Sequence, residues 1–295
     1  MIEECEKALE LPKAILRDHL KAFLEEDVGL GDVTTSLIVP SDTKIRAQIL
    51  VKESAVIAGL SEMNVLFNDV IGARFKCLVN DGDEVSSNTI IAEVEGDGRS
   101  ILMAERTALN LLSRMCGIAT ATRKLVKRIK DAGLNVYVAG TRKTAPGLRY
   151  FDKKAVIIGG GDPHRFKLDD QILIKDNHIV VAGGVKEALR RAHSSASFSK
   201  KIEIEVKTSD EAIEAAKSGA DIIMLDNMSI EEIDKIINAL KRLNLREKVL
   251  IEVSGRINEG NILEYARLRP DIISVGEITH SVKSIDISLE VIGVE

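Results

Sequence analysis

Ile202-Glu-Ile-Glu-Val206, then Thr208-Ser-Asp210, then Gly219, then Ile222-Ile-Met-Leu-Asp226: this stretch decides the fold. An apolar run of strand length leads through Thr208, a good N-cap residue, into a helical pattern that Gly219 closes. A second apolar run follows at once. Strands that are apolar on both faces and alternate with helices require a parallel sheet covered by those helices. The unit repeats along the chain. Further runs lie at Val136–Gly140, Ile172–Ile174, Val249–Val253 and Ile272–Val275. Between them, Ser229 with Glu232 spells a capping box. Ile230, Ile233, Ile236, Ile237 and Leu240 then line one face of the helix it opens.

What ends each run is as informative as the run itself. The ends are Thr141-Arg142-Lys143, Lys175-Asp176, Glu205, Asp226, Ser254-Gly255 and Gly276. In a β/α barrel all such ends gather on one face, where active sites are built, and glycine-rich ends of the last strands suit a phosphate. The expected class is therefore α/β, with an irregular barrel of about six visible strands that is either incomplete or contains a further strand the pattern does not reveal.

Upstream, Leu11–Glu26 reads as an amphipathic helix and Gly29–Thr35 as a loop. Ile45, Ala47, Ile49 and Val51 alternate with polar residues as a half-buried strand does. Ser61–Val70 looks helical. Phe75–Val79 and Ile90–Val94 flank the turn Asn80-Asp-Gly-Asp83, a hairpin with the look of a lipoyl hammerhead. No Lys occupies that turn, so a plain β-turn is the reading. Ala104–Ala132 is helical with an expected break near Cys116-Gly117. The expected domains are an α/β sandwich over 1–115 and a barrel over 116–278. A C-terminal segment, 279–295, is expected to pack back on the sandwich.

The chain has 295 residues, a formal net charge of −5, no Trp and 3% aromatic residues. That composition gives no platform for stacking nucleic-acid bases and no basic face for their phosphates. No apolar run is long enough to span a membrane, and Met1–Cys5 is acidic rather than signal-like. Cys5, Cys77 and Cys116 are odd in number and far apart, which points to buried, reduced thiols in a cytoplasmic protein.

Against the overall acidity, positive charge concentrates between Arg142 and Lys175. Arg142, Lys143, Arg149, Lys153, Lys154, Arg165, Lys167 and Lys175 stand there with His164, opposed by Asp152, Asp162, Asp169 and Asp170. Glycines among the cations, at Gly140, Gly147 and Gly159-Gly-Gly161, let backbone amides approach a ligand. Such a set suits a small polyanion carrying carboxylates and phosphates. A lone member such as Lys153 reads by itself as a solvated surface charge.

The chain resembles the quinolinate phosphoribosyltransferase family. The resemblance rests on Glu26-Asp-Val-Gly-Leu-Gly-Asp-Val-Thr-Thr35, Ala104-Glu-Arg-Thr-Ala-Leu-Asn110 and the long basic motif. It continues through Met224-Leu-Asp-Asn-Met228, Ile251-Glu-Val-Ser-Gly255 and Ser274-Val-Gly-Glu-Ile-Thr-His-Ser281. It implies an N-terminal α/β sandwich with an irregular barrel, a homodimer or larger assembly, and dependence on Mg²⁺. The implied reaction joins quinolinate to phosphoribosyl pyrophosphate, giving nicotinate mononucleotide, pyrophosphate and CO₂ in NAD synthesis. By resemblance, Arg106 reaches into the neighbouring subunit's site. Thr141, Arg142, His164 and Arg165 bind the dicarboxylate with it. Lys143 and Lys175 sit between quinolinate and pyrophosphate. Glu205 and Asp226 hold the ribose and place Mg²⁺, largely through substrate. Ser254, Gly255, Gly276 and His280 cradle the 5-phosphate. Two departures stand out: Arg256 replaces a second glycine of the phosphate loop, and Ala145 stands where many relatives have Thr.

The residue types fit that chemistry. Planar guanidinium forks match adjacent carboxylates. The pyridine nitrogen is its own nucleophile, so catalysis reduces to positioning and stabilising the leaving pyrophosphate. Glu203 and Glu205 are expected to face opposite ways on their strand, with only Glu205 at the mouth. His178 is expected to order its loop, Asp176 to orient Lys175, and His19 and His193 to lie on the surface. Competing readings are an ion pair for Arg106 on its helix, a nicotinate-using relative, a Schiff-base Lys175 and a non-catalytic ligand sensor. Three cationic readers, Arg106, Arg142 and Arg165, favour the diacid.

Overall fold

The computed structural model describes residues 10–295. Met1–Cys5, and Cys5 with it, lie outside the described residues. The chain forms two compact units. One comprises residues up to Arg123, Tyr150–Gly160 and Val282–Glu295; the other comprises Lys124–Arg149 and Gly161–Ser281. The sequence-based division after residue 115 lies inside a single helix, Gly98–Asp131.

In the first unit, helix Lys13–Val28 buries Leu16, Leu20 and Leu24, which recur at the i, i+4 spacing of one helix face. The stretch expected to be all loop instead starts a short helix, Val33–Ile38. Asp32 caps it by accepting from Thr35 N at 3.0 Å, a propensity that a glycine-rich flank concealed. Five strands follow: β1 (Lys44–Val51), β2 (Ala55–Val56), β3 (Arg74–Cys77), β4 (Glu84–Val85) and β5 (Thr89–Asp97). β1 alternates as expected, with Ile45, Ala47, Ile49 and Val51 buried. It lies between β5 and the C-terminal strand Ile287–Val294, antiparallel to both, and β3 pairs on the far side of β5. Phe67 stacks on Phe75 with ring centroids 5.4 Å apart.

The expected break at Cys116-Gly117 does not occur: the helix runs unbroken for 34 residues. Gly117 serves packing instead. A Cβ there would sit 2.2 Å from the Lys283 carbonyl oxygen, so the glycine lets the C-terminal segment close onto the helix. Gly159 plays the same part, since its Cβ would lie 2.6 Å from the Ala119 carbonyl oxygen.

Helix Arg149–Ile158 corrects the reading of the basic motif. Lys153 is fully buried, not a surface charge, and Lys154 is nearly so. Lys154 Nζ lies 2.8 Å from Glu62 Oε1 and 2.7 Å from Ser61 Oγ. Asp152, also buried, takes both forks of Arg114 at 2.7 and 2.8 Å. These charges serve the core of the first unit, where buried ions persist only when paired. Of the two described thiols, Cys116 is buried as expected and burial pushes it up to about 12; Cys77 is exposed.

The second unit carries β6 (Tyr137–Ala139), β7 (Ile172–Ile174), β8 (Ile202–Val206), β9 (Ile222–Asp226), β10 (Leu250–Ser254) and β11 (Ile272–Ser274). All pair in parallel, in the order β6-β11-β10-β9-β8-β7. The last strand therefore returns to the first, as a barrel requires, and one seam stays open between β6 and β7. Into that seam comes the segment after Gly161. Asp162 N donates to the Val138 carbonyl at 2.8 Å, and Gly140 N donates to the Asp162 carbonyl at 2.9 Å. It is a rudimentary strand, one bridge long. Helices cover the sheet as the caps foretold. Thr208 caps Ser209–Lys217, and Ser229 with Glu232 closes a capping box on Ile230–Arg242, which buries Ile233, Ile236, Ile237 and Leu240.

Candidate active site

The C-terminal ends of β6 to β11 surround a cavity of about 860 Å³ within the second unit. From β6 and its loop come Gly140, Thr141, Arg142 and Lys143; from the seam come His164 and Arg165. β7 ends in Lys175, β8 contributes Glu205, and β9 contributes Asp226 and Asn227. Ser254, Gly255 and Arg256 follow β10, and Gly276 and His280 follow β11. The structure thus brings together every residue to which the resemblance gives a site role except Arg106, while Arg149, Lys153, Lys154 and Lys167 of the basic cluster do not line the cavity. Arg106 lies exposed on helix Gly98–Asp131 and is not among the lining residues.

Arg142 and Arg165 form the cationic wall. Burial, and then the neighbouring Arg142 guanidinium, pull Arg165 below the ordinary arginine range. Arg142 Nε is buried without a hydrogen-bond partner among the described residues. Two guanidiniums held close, one with an orphan donor, invite an anion with two acceptor groups.

Glu205 and Asp226 form the opposing pair. Burial raises Glu205 and the Asp226 charge raises it further, while Lys175, with Nζ 3.7 Å from Glu205 Oε2, works the other way. Asn227 Nδ2 holds Asp226 Oδ2 at 2.6 Å. Oxygen donors of this kind fit a hard cation such as Mg²⁺. Asp176, expected to orient Lys175, has Lys207 Nζ as its direct partner at 2.7 Å, and the Lys175 charge acts on it only as a lesser influence. His178 orders the loop as expected, accepting from Lys175 N at 2.9 Å. His19 and His193 are exposed, and His193 Nε2 meets the Gly219 carbonyl at 3.0 Å.

The glycine-rich end is packed against its neighbours. A Cβ at Gly255, whose φ is +111°, would fall 2.5 Å from Asn227 Oδ1 and 2.7 Å from Asn227 N. At Gly276 a Cβ would press on His280 and on the Lys143 stem, at 3.1 and 3.3 Å. Thr279 Oγ1 donates to the Lys143 carbonyl at 2.9 Å and ties the two loops together. Arg256 sits in the left-handed region at φ +50°, as do His164 (+53°) and Asn227 (+54°). Unfavourable backbone thus collects at the cavity, as it does at ligand sites.

One layer below lies what the sequence reading missed. Glu203 does not face away from Glu205. Residues two apart on a strand share a face, and both point into the barrel, Glu203 deeper. Glu203 and Glu252 are both fully buried, and Oε1 of each has no partner among the described residues. His164 Nε2 stands 2.9 Å from Glu252 Oε2 and 3.5 Å from Glu203 Oε2. Gln171 Nε2 also donates to Glu203. Burial, then the Glu252 charge, push Glu203 up to about 8 against the pull of His164 and Arg165. Glu252 was legible in principle, because it precedes Ser254 by two in a motif already noted. Ser274, two before Gly276, likewise lines the cavity, with its buried Oγ unpartnered among the described residues.

Residues 32–116 match the family described as quinolinate phosphoribosyl transferase, N-terminal domain, and residues 118–290 match its C-terminal domain. A probable nicotinate-nucleotide pyrophosphorylase [carboxylating] of Methanocaldococcus jannaschii is 52% identical, covering 94% of this chain and 99% of that protein. The human nicotinate-nucleotide pyrophosphorylase [carboxylating] is 34% identical, covering 98% and 95%. Among solved structures, the nicotinate-nucleotide pyrophosphorylase of Francisella tularensis superposes with a TM-score of 0.87 at 38% identity, covering 96% and 98%.

Proposed function

The chain belongs to the quinolinate phosphoribosyltransferase family, and on that premise we propose how its own residues perform the reaction. It is a decarboxylating pentosyltransferase of NAD biosynthesis. It joins quinolinate to phosphoribosyl pyrophosphate and yields nicotinate mononucleotide, pyrophosphate and CO₂. The observation that carries the assignment of roles is the buried Nε of Arg142, without a partner among the described residues, beside the Arg165 guanidinium in one cavity with the Glu205–Asp226 pair.

Arg142 and Arg165 take the two carboxylates of quinolinate, with Thr141 and His164 beside them. This aims the pyridine nitrogen at C1 of the ribose. Glu205 and Asp226 face the ribose, and positive charge develops there as the C1–O bond to pyrophosphate breaks. Lys143 and Lys175 neutralise the departing pyrophosphate. Ser254, Gly255, Gly276 and His280 hold the 5-phosphate, and Arg256 adds a cation to that end. The new C–N bond makes the ring a pyridinium. CO₂ then leaves from C2, its bonding pair stays on C2 beside the cationic nitrogen, and C2 takes a proton from solvent. Glu205 and Asp226, with the substrate's phosphates, are the groups that would hold Mg²⁺, which supplies charge neutralisation for pyrophosphate.

The working enzyme in this reading is a cytoplasmic homodimer in which Arg106 completes the partner's dicarboxylate site. Its exposure on the helix supports this, as do the exposed apolar side chains Leu30, Val33, Leu37 and Ile38, which suit a partner surface. The free, exposed thiol of Cys77 suits a reducing compartment. Among the described residues no helix is long and apolar enough to cross a membrane.

The test is release of labelled CO₂ from quinolinate carrying the label in its 2-carboxylate, with phosphoribosyl pyrophosphate and Mg²⁺, beside a nicotinate control. Release that needs all components, with nicotinate inert, is the expected result. Turnover of nicotinate alone would move Arg142 and Arg165 to another role.

A further inference from the structure

The least expected feature of the second unit is a buried acid pair at the floor of the cavity, which Glu252 lines and Glu203 underlies, with no part in the steps above. Glu252 and Glu203 stand on β10 and β8, and His164 meets both from the seam. The hydrogen-bond pattern fixes the state of that ring. Arg165 N donates to His164 Nδ1 at 2.6 Å, so Nδ1 presents its lone pair and the proton sits on Nε2. Nε2–H therefore donates to Glu252 Oε2 at 2.9 Å. A chain of contacts runs from a fully buried carboxylate, through an imidazole, to the backbone of Arg165, the residue whose guanidinium reads the diacid.

The ring needs that hold. On the side away from the active cavity, a second cavity of about 380 Å³ opens at the N-terminal ends of the strands. Tyr137, Gln171, Ile222, Leu250 and Ile272 line it, and His164 lines both cavities. With space above and below, packing alone leaves an imidazole room to turn, and the bonds at its two nitrogens set its plane. The backbone here is also uncomfortable, with His164 at φ +53° two residues after Asp162, where the segment bridges to β6. A seam segment of this kind keeps one conformation only if side chains over-determine it.

We propose that Glu252 is a positioning residue for the dicarboxylate: by accepting from His164 Nε2 it locks the His164–Arg165 segment so that Arg165 and Arg142 present their guanidiniums together. Glu203, held by Gln171, braces the same ring from β8. The claim rests on the quinolinate reading given above and adds to it which buried group sets the diacid pocket.

The experiment compares Glu252→Met and Glu252→Gln with the parent enzyme, measuring KM for quinolinate and for phosphoribosyl pyrophosphate separately, with kcat and melting temperature. Methionine keeps the volume but cannot accept from Nε2–H, whereas glutamine offers its amide oxygen. Losing this buried hydrogen bond, which leaves Nε2–H unpaired and is expressed through Arg165, raises the quinolinate KM about tenfold or more. The phosphoribosyl pyrophosphate KM stays within about twofold, and glutamine returns the quinolinate KM to within about threefold of the parent. His164→Asn gives the same selective loss, and adding Glu252→Met to it costs little more, because both cut one chain of contacts. A merely structural role would move both KM values together or lower only the melting temperature, and either result overturns the proposal. So does a folded glutamine variant that rescues nothing. If methionine at 252 prevents folding, Glu252→Ala, which also cannot accept from Nε2–H, takes its place in the same comparison with glutamine. Parent turnover of quinolinate in the same assay tests the underlying reading, so its failure is told apart from failure of the positioning role.

Discussion

Replacing Glu203 with Gln should remove most of a pH-dependent weakness from the barrel. Glu203 is fully buried beside Glu252 and keeps its proton up to about pH 8, whereas in the unfolded chain it ionises near 4.5. Across that window the native state binds the extra proton. The unfolded state binds fewer, so stability falls as pH rises. The contribution is fully present below pH 4.5 and gone once the pH passes about 8. Each unit costs about 1.4 kcal/mol, so between pH 5 and pH 8 the parent loses at most about 4 kcal/mol from this group. For a unit of this size that is a fall in melting temperature on the order of 10 °C. Glutamine has nearly the same volume, does not ionise, and keeps an oxygen for Gln171. The assay is melting followed by far-ultraviolet circular dichroism, since there is no Trp to report by fluorescence. Parent and variant are compared at constant ionic strength in half-unit steps from pH 5 to pH 8.5. Titrating groups away from this cluster act alike on both proteins, so the difference between the two curves reports Glu203 together with the neighbours it is coupled to. That difference should grow with pH in favour of the variant. Parallel curves would refute the reasoning, because they would mean that Glu203 is ionised throughout or finds a compensating charge.

Three further outcomes follow from particular contacts. Gly117→Ala should destabilise the first unit by more than about 3 kcal/mol in urea titrations, because its Cβ meets the Lys283 carbonyl at 2.2 Å and neither backbone can yield cheaply. Gly255→Ala should lower the melting temperature, because its Cβ meets the Asn227 backbone at 2.7 Å at a φ of +111°, and should raise the KM for phosphoribosyl pyrophosphate about tenfold or more while the quinolinate KM moves far less, since the loop must move off Asn227. An unchanged KM would take Gly255 out of the phosphate site. Mixing inactive Arg106→Ala with inactive Lys143→Ala subunits should restore part of the activity, because a mixed dimer holds one intact site if Arg106 acts across the interface. No recovery after confirmed subunit exchange would place Arg106 elsewhere.

The sequence by itself determined the parallel strand–helix repeat, nearly every strand position in the second unit, and the gathering of Arg142, Lys143, Lys175, Glu205, Asp226 and Ser254 at one mouth. The reason is that these follow from local rules: apolar runs of strand length, caps such as Thr208 and Ser229, and the common direction of parallel strands, which brings all their C-terminal ends to one face. Asp32 shows the limit of the same rules, for a cap in a glycine-rich stretch was read as loop. What only the tertiary structure decided depends on partners distant in the chain. Lys153 and Lys154 belong to the first unit's core and not to the anion site, because burial is set by what packs against a helix and not by the charge run it carries. Gly117 looked like a helix break, yet it is the place where Lys283 closes in. Glu252 and Glu203 gain their meaning only when the open seam between β6 and β7 admits His164. A hydrogen bond between residues 88 positions apart leaves no periodic trace in the strand or the seam segment that it joins.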